Sequence, residues 1–229
     1  AGGTGSCKTS LLNALSSFIP EGERIVVIED ARELSLQREH VVRLEARAPD
    51  ERGRYGVGIR DLFKASLRLR PDRLVLGEIR AGEALDLIQA MTSGHDGCLT
   101  TVHATYPMDA LNRLATLALM GGVEVPLAVL RVELAGAVDI IVQTARLRDG
   151  RRRVTHITEV RGVDASGAFR LCDLFANQPR TRGNGGTRFN LTPTGALPEC
   201  LGLINDQGLE LPERMYSVDH SGSNAGGAQ

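Results

Sequence analysis

The chain alternates short hydrophobic runs with segments of helical period. Leu11, Leu12 and Leu15 share one face of a helix that the spacing predicts over Lys8 to Ser17, with Pro20 beyond it. Arg24 to Ile28 reads as a buried strand whose tip carries Glu29 and Asp30. Residues 41–47 (VVRLEAR) alternate and predict a strand of a hairpin or side sheet, while 49–58, rich in charge and glycine, predict a loop. A helix from Arg60 to about Leu69 is stopped by Pro71. Leu74 to Leu76 forms a second apolar strand leading into Gly77 and Glu78. Ala84, Leu87, Ile88 and Met91 recur at i, i+3, i+4 and i+7, with Gly94 where a C-cap belongs. Cys98 to Val102 predicts a third strand, ending at His103. Leu111, Leu114, Ala115 and Ala118 repeat the helical spacing, and Pro126 to Gly136 predicts one more helix. Val138 to Thr144 completes the series as a fourth strand.

Strands separated by helices imply an α/β fold, a mostly parallel sheet with helices on both faces and polar residues gathered at its carboxyl edge. From Leu147 the character changes. Asp149-Gly150 signals a hairpin between 140–148 and the alternating 154–163. Residues 176–190, rich in Gly and Asn, read as a loop or linker, and the last thirteen residues as a disordered tail. The expected division is a main domain over 1–175, a C-terminal extension over 176–216 and the tail over 217–229.

Composition narrows the function classes. A net charge of −1 over 229 residues excludes a generally basic nucleic-acid binder. Aromatics at 3% argue against a base-stacking surface. Arginine outnumbers lysine 25 to 2 but is scattered along the chain. The four cysteines have neither CxxC pairing nor metal spacing and read as reduced thiols. The longest apolar stretch, Leu114 to Val123, is too short to span a bilayer, and no charged-then-apolar leader is visible.

The candidate chemistry begins at AGGTGSCKT. Consecutive backbone N–H groups ahead of a helix can cradle phosphates, with Lys8 reaching the outer phosphates and the Thr9 hydroxyl a magnesium ion. Gly3, Thr4, Gly5, Ser6, Cys7, Lys8 and Thr9 are the nucleotide-binding candidates. A Gly-rich turn before a helix fits the same residues. The strict G-x-x-x-x-G-K-[ST] pattern fails at Cys7, where a Cβ and sulfur would crowd the phosphates. The strand that feeds such a loop is absent, so the chain reads as a fragment. Glu78, at a strand tip, suits a general base that polarises an attacking water, or is a solvated strand-end carboxylate. Gly77 stands where an aspartate commonly orders the metal's water; Glu29 and Asp30, with Thr9, are the metal candidates instead. His95 and His103 lie at element ends that can share the carboxyl edge, or each satisfies a core hydrogen bond. Arg60, Arg70 and Arg80 are arginine-finger candidates, with Arg68 and Arg73 on the same stretch. Arg151 to Arg153, at the hairpin tip, read as solvated charge.

An IED strand tip, then LVLGEIR, then SGHDGCLTTVHA in this order resembles the type II/IV secretion ATPase family, closest to the Flp/Tad pilus assembly ATPases of the CpaF type. The likeness covers residues 1 to about 175, including LRDG, RVTHITEV and LCDLF, with a weaker echo in PTGALPECL and GLELPERMY. It implies that the loop is a Walker A motif, IED an Asp box, GEIR an atypical Walker B, and His95 to His103 a His box. It further implies a RecA-like ATPase domain using ATP and Mg²⁺, and a homohexamer docked on an inner-membrane platform protein at the cytoplasmic face. Its work would be pilus assembly or protein secretion, with no nucleic-acid partner. Two departures are Cys7 in place of the family's glycine and the lack of the family's N-terminal domain. A nucleotide-impaired structural subunit of such a ring and a DNA-translocating motor are the competing readings.

Overall fold

The computed structural model describes residues 1–181 and 187–217. Four strands, β1 (Ile25–Glu29), β2 (Val41–Glu45), β3 (Arg73–Leu76) and β4 (Leu99–Thr100), form a parallel sheet in the order β2-β1-β3-β4. A second sheet is an antiparallel meander of β5 (Ile140–Arg146), β6 (Arg152–Val163), β7 (Phe169–Thr181) and β8 (Thr187–Pro193). The helices are α1 (Lys8–Ser16), α2 (Ile59–Ser66), α3 (Glu83–Thr92), α4 (Pro107–Leu119), α5 (Leu127–Ala137) and the short α6 (Leu201–Asp206). Among the described residues no helix is long and apolar enough to cross a membrane.

β1 and β3 read as continuous apolar runs because both faces of the sheet are covered, so their residues sort by parity into two cores. Ile25, Val27 and Val75 pack with Leu12 of α1, Ile19, Leu34 and Leu36. Val26, Ile28, Leu74 and Leu76 pack on the other side, in the cluster holding Phe63 of α2, Leu85 and Ile88 of α3, Leu111 of α4 and Leu130 of α5. Phe63, Ile25, Leu111 and Leu130 have essentially no exposed surface.

Four expectations change. Residues 41–45 belong to no hairpin; they add β2 to the edge of the main sheet, parallel to β1. Alternation reports a half-covered strand, not the direction of its neighbour. The third strand shrinks to Leu99–Thr100. The fourth, β5, joins the antiparallel sheet because the Asp149-Gly150 turn, with Gly150 at φ 80°, folds β6 back onto it. Residues 176–181 continue β7 and pair with β8 across the expected boundary at 175/176. Backbone ladder bonds carry that segment despite its polar side chains. The rest of that expected loop, 182–186, and the tail from 218 lie outside the described residues.

The two sheets meet at the glycine-rich segment ahead of α1. Gly2 N–H donates to Val102 O (3.2 Å), just past β4, and Thr144 N–H donates to Ala1 O (2.8 Å), while Gly2 bridges Thr144 in parallel fashion. An apolar cleft of about 320 Å³ runs between the β4 and β5 edges, lined in part by Leu87, Leu99, Val102, Ile141 and Val142.

Candidate functional site

The carboxyl ends of β1, β3 and β4 converge on the N-terminus of α1. They enclose a cleft of about 420 Å³ whose walls include Gly5, Lys8, Thr9, Asp30, Glu78 and His103. This is the edge where parallel α/β sheets place their ligands. The loop reaches it through two left-handed residues, Gly5 (φ 68°) and Cys7 (φ 69°, ψ 37°). Only glycine adopts that conformation freely, so Cys7 holds the α1 N-cap under strain. Its side chain is exposed and takes no part in lining the cleft.

Lys8 folds over the loop, its Nζ donating to Gly3 O at 3.3 Å and lying 3.4 Å from His103 Nε2. Burial holds its ammonium below the ordinary lysine range, helped by the Arg80 charge and opposed by Glu78 and Glu33. The base candidate Glu78 is largely enclosed. Arg80 grips its Oε2 from Nε (2.7 Å) and Nη2 (2.6 Å), and reaches Asp30 at 3.5 Å. His103 Nε2 lies 2.6 Å from Glu78 Oε1, an ion-pair distance when the ring is protonated, yet its angle makes no hydrogen bond. Glu78 Oε1 is thus buried without a hydrogen-bond donor.

Glu29 serves the frame. Its Oε1 accepts the N–H groups of Glu33 (2.9 Å) and Leu34 (2.7 Å), fixing the turn after β1. Gly77 gives it room, since a Cβ there would stand 3.3 Å from Glu29 Cγ. Thr101 ties the neighbouring tip by donating to Gly77 O at 2.7 Å. Thr9 donates to Glu33 Oε2 at 3.3 Å, so a carboxylate unremarked in the sequence faces the helix start.

Not every sequence candidate reaches this cleft. His95 is absent from its lining; the buried Nδ1 has no partner, and its carbonyl accepts from the Cys98 thiol at 3.2 Å. Arg60 braces three elements, pairing with Asp86 of α3 at 2.5 Å and donating to Gly121 O at 2.7 Å. Arg70 sits at a left-handed turn (φ 52°) ahead of β3. Arg73 is paired with Glu23. Of the three finger candidates only Arg80 lines the cleft, within its own chain. Arg152, read from sequence as solvated hairpin charge, donates from Nε to Gly5 O at 2.8 Å.

The residues fit a magnesium nucleotide. The loop presents free helix-start amides, Lys8 and a Thr9 hydroxyl, with Asp30 and Glu33 opposite. Among the described residues no three His, Cys, Asp or Glu side chains are grouped to hold a metal alone. That suits a hard cation whose ligands are mainly phosphate oxygens and water.

The family model described as type II/IV secretion system protein matches residues 1–181. The chain belongs to that family. It is 42% identical over 163 residues to a putative conjugal transfer protein of Mycobacterium tuberculosis, covering 71% of this chain and 46% of that one. It is 41% identical over 170 residues to the type IV secretion system protein PtlH of Bordetella pertussis, covering 72% and 50%. Among solved structures, the VirB11 ATPase of the Brucella suis type IV secretion system superposes with a TM-score of 0.61 at 34% identity, over 68% of this chain and 46% of that one. The Legionella pneumophila ATPase DotB, at 20% identity, 66% and 41% coverage and a TM-score of 0.51, shares the fold. The chain spans about half the length of the curated relatives it matches.

Proposed function

We propose that this chain is the ATP-binding and ATP-hydrolysing half of a secretion motor subunit, working in a homohexamer at the cytoplasmic face of the inner membrane. The observation that carries this reading is the convergence of Lys8, His103 and Glu78 on one cleft at a helix N-terminus. The loop amides and Lys8 bind the phosphates, and Thr9 with Asp30 and Glu33 faces the cation, which offsets negative charge on the phosphate oxygens. Glu78 takes a proton from the attacking water, with Arg80 holding the carboxylate by its Oε2 and His103 Nε2 standing 2.6 Å from its Oε1. Family membership and the VirB11 likeness support a secretion role; within it, the IED, GEIR and His-box sequences favour pilus assembly of the Flp/Tad type, docked on an inner-membrane platform protein.

The competing view, a nucleotide-impaired structural subunit, rests on Cys7 and loses weight because that side chain is exposed outside the cleft. The deciding experiment is phosphate release from ATP by the chain, with Lys8→Ala as the loss-of-binding control. Turnover that disappears in Lys8→Ala supports the motor; phosphate release that Lys8→Ala leaves intact refutes it.

A further inference from the structure

The phosphate loop is held from outside its own sheet. Ser6, buried, shares a 2.9 Å hydrogen bond with the Thr144 hydroxyl of β5, and Thr144 also bonds Ala1 O through both its N–H and its Oγ1. Gly2 is packed so closely against this pair that a Cβ would come within 2.3 Å of both hydroxyls. Those contacts fix the foot of the loop. The crest is held by the neighbouring strand, where Arg152 of β6 donates to Gly5 O at 2.8 Å.

The hairpin register explains how one ribbon reaches both points. Thr144 pairs with Val154 and Arg146 with Arg152, after a register shift at Gln143/Thr144. Thr144 and Arg152 therefore share a face, two residues apart along the ladder, roughly 7 Å. Arg146 stands directly opposite Arg152, and two like charges so placed repel. Arg152 instead finds a carbonyl acceptor 147 residues away in the chain.

We propose that Arg152 is a positioning residue for nucleotide. Its guanidinium clamps the left-handed Gly5 so that the loop amides stay aimed at the phosphates, making the antiparallel hairpin part of the nucleotide site. This deepens the ATPase reading and rests on it for its functional consequence.

The test compares Arg152→Ala and Arg152→Lys with Arg151→Ala, which removes the same charge one residue away, where the side chain pairs with Asp149 at the turn. Amide hydrogen exchange of residues 5–8 is measured on the full chain without nucleotide, and ATP affinity is measured alongside. Arg152→Ala should speed loop exchange and weaken ATP about five- to tenfold, the scale of a partly exposed charge-assisted bond. Arg152→Lys should recover part of both, and Arg151→Ala should match the parent. Unchanged loop exchange in Arg152→Ala overturns the clamp. Faster exchange with unchanged ATP affinity overturns the positioning role. If the parent chain itself binds no ATP, the motor reading fails, while the exchange arm still decides the clamp.

Discussion

His103 Nε2 stands 2.6 Å from Glu78 Oε1, and the same ring nitrogen lies 3.4 Å from the Lys8 ammonium. That nitrogen touches both the group proposed to hold phosphate and the group proposed to take a proton. Glu78→Gln keeps the shape and the Arg80 contact but removes the basic charge. It should bind ATP normally and lose turnover by about 10²- to 10⁴-fold. Single-turnover hydrolysis beside a binding titration checks this; parental turnover would move the role to another carboxylate of the cleft, Asp30 or Glu33.

The two histidines should separate. His103→Ala should lower turnover with little change in ATP affinity, because the ring contacts Glu78 from within the cleft. His95→Ala should leave turnover near the parental value, since His95 does not line the cleft. Equal losses of turnover in both variants would contradict this assignment.

Lys8 carries a desolvation cost that Glu78 and Glu33 only partly offset. Burial lowers its pKa, so between the lowered value and the ordinary value the unfolded chain holds more proton than the folded one. Stability of the unliganded chain therefore rises with pH across that window, and below it the charged Lys8 is a net liability. Lys8→Met should match or exceed the parent in thermal stability at pH 7 while losing ATP binding. A variant that is clearly less stable would show that the ammonium is a structural tie.

At the α1 N-cap, Cys7→Gly should relieve left-handed strain of about 1–2 kcal/mol, partly offset by the freer unfolded chain. A net gain of about 1 kcal/mol raises Tm by roughly 2–4 °C in a chain of this size. ATP affinity should change little, because the Cys7 side chain is outside the cleft. A large rise in affinity would revive the expectation that the thiol obstructs phosphate.

Cysteine reactivity should differ sharply between sites. Burial, reinforced by Asp96, pushes the Cys98 thiol up to about 12. At pH 8 its thiolate is then about a thousandfold scarcer than that of an ordinary thiol with a pKa near 9. Timed iodoacetamide labelling read by mass spectrometry should modify the exposed Cys7 long before Cys98. Comparable rates would mean that the β4 edge opens readily.

What the sequence makes legible follows from how much each signal constrains. Leu74 to Leu76 and Ile25 to Ile28 are short, wholly apolar and flanked by turns, which leaves them little choice but buried parallel strands; both were placed to within a residue. Val41 to Glu45 shows alternation alone, and alternation is silent about whether the partner runs parallel. Asn177 and Gln178 look like linker, yet the ladder to β8 needs their backbone, not their side chains. At the site, Lys8, Glu78 and His103 were recognisable because each sits in a motif at an element end. Glu33 and Arg152 were not, because their roles depend on carbonyl and hydroxyl partners brought close only by the fold.

The buried bond between Ser6 and Thr144 spans 138 residues, so the phosphate loop is made long before its anchor exists. A nascent chain still short of the β5–β6 hairpin has the glycines and the lysine in sequence but nothing to set their shape, and closing so long a separation is slow compared with forming helices. During synthesis, the loop therefore gains its fixed form only after the hairpin has left the ribosome, and chains that stall before Thr144 carry a loop without its anchor.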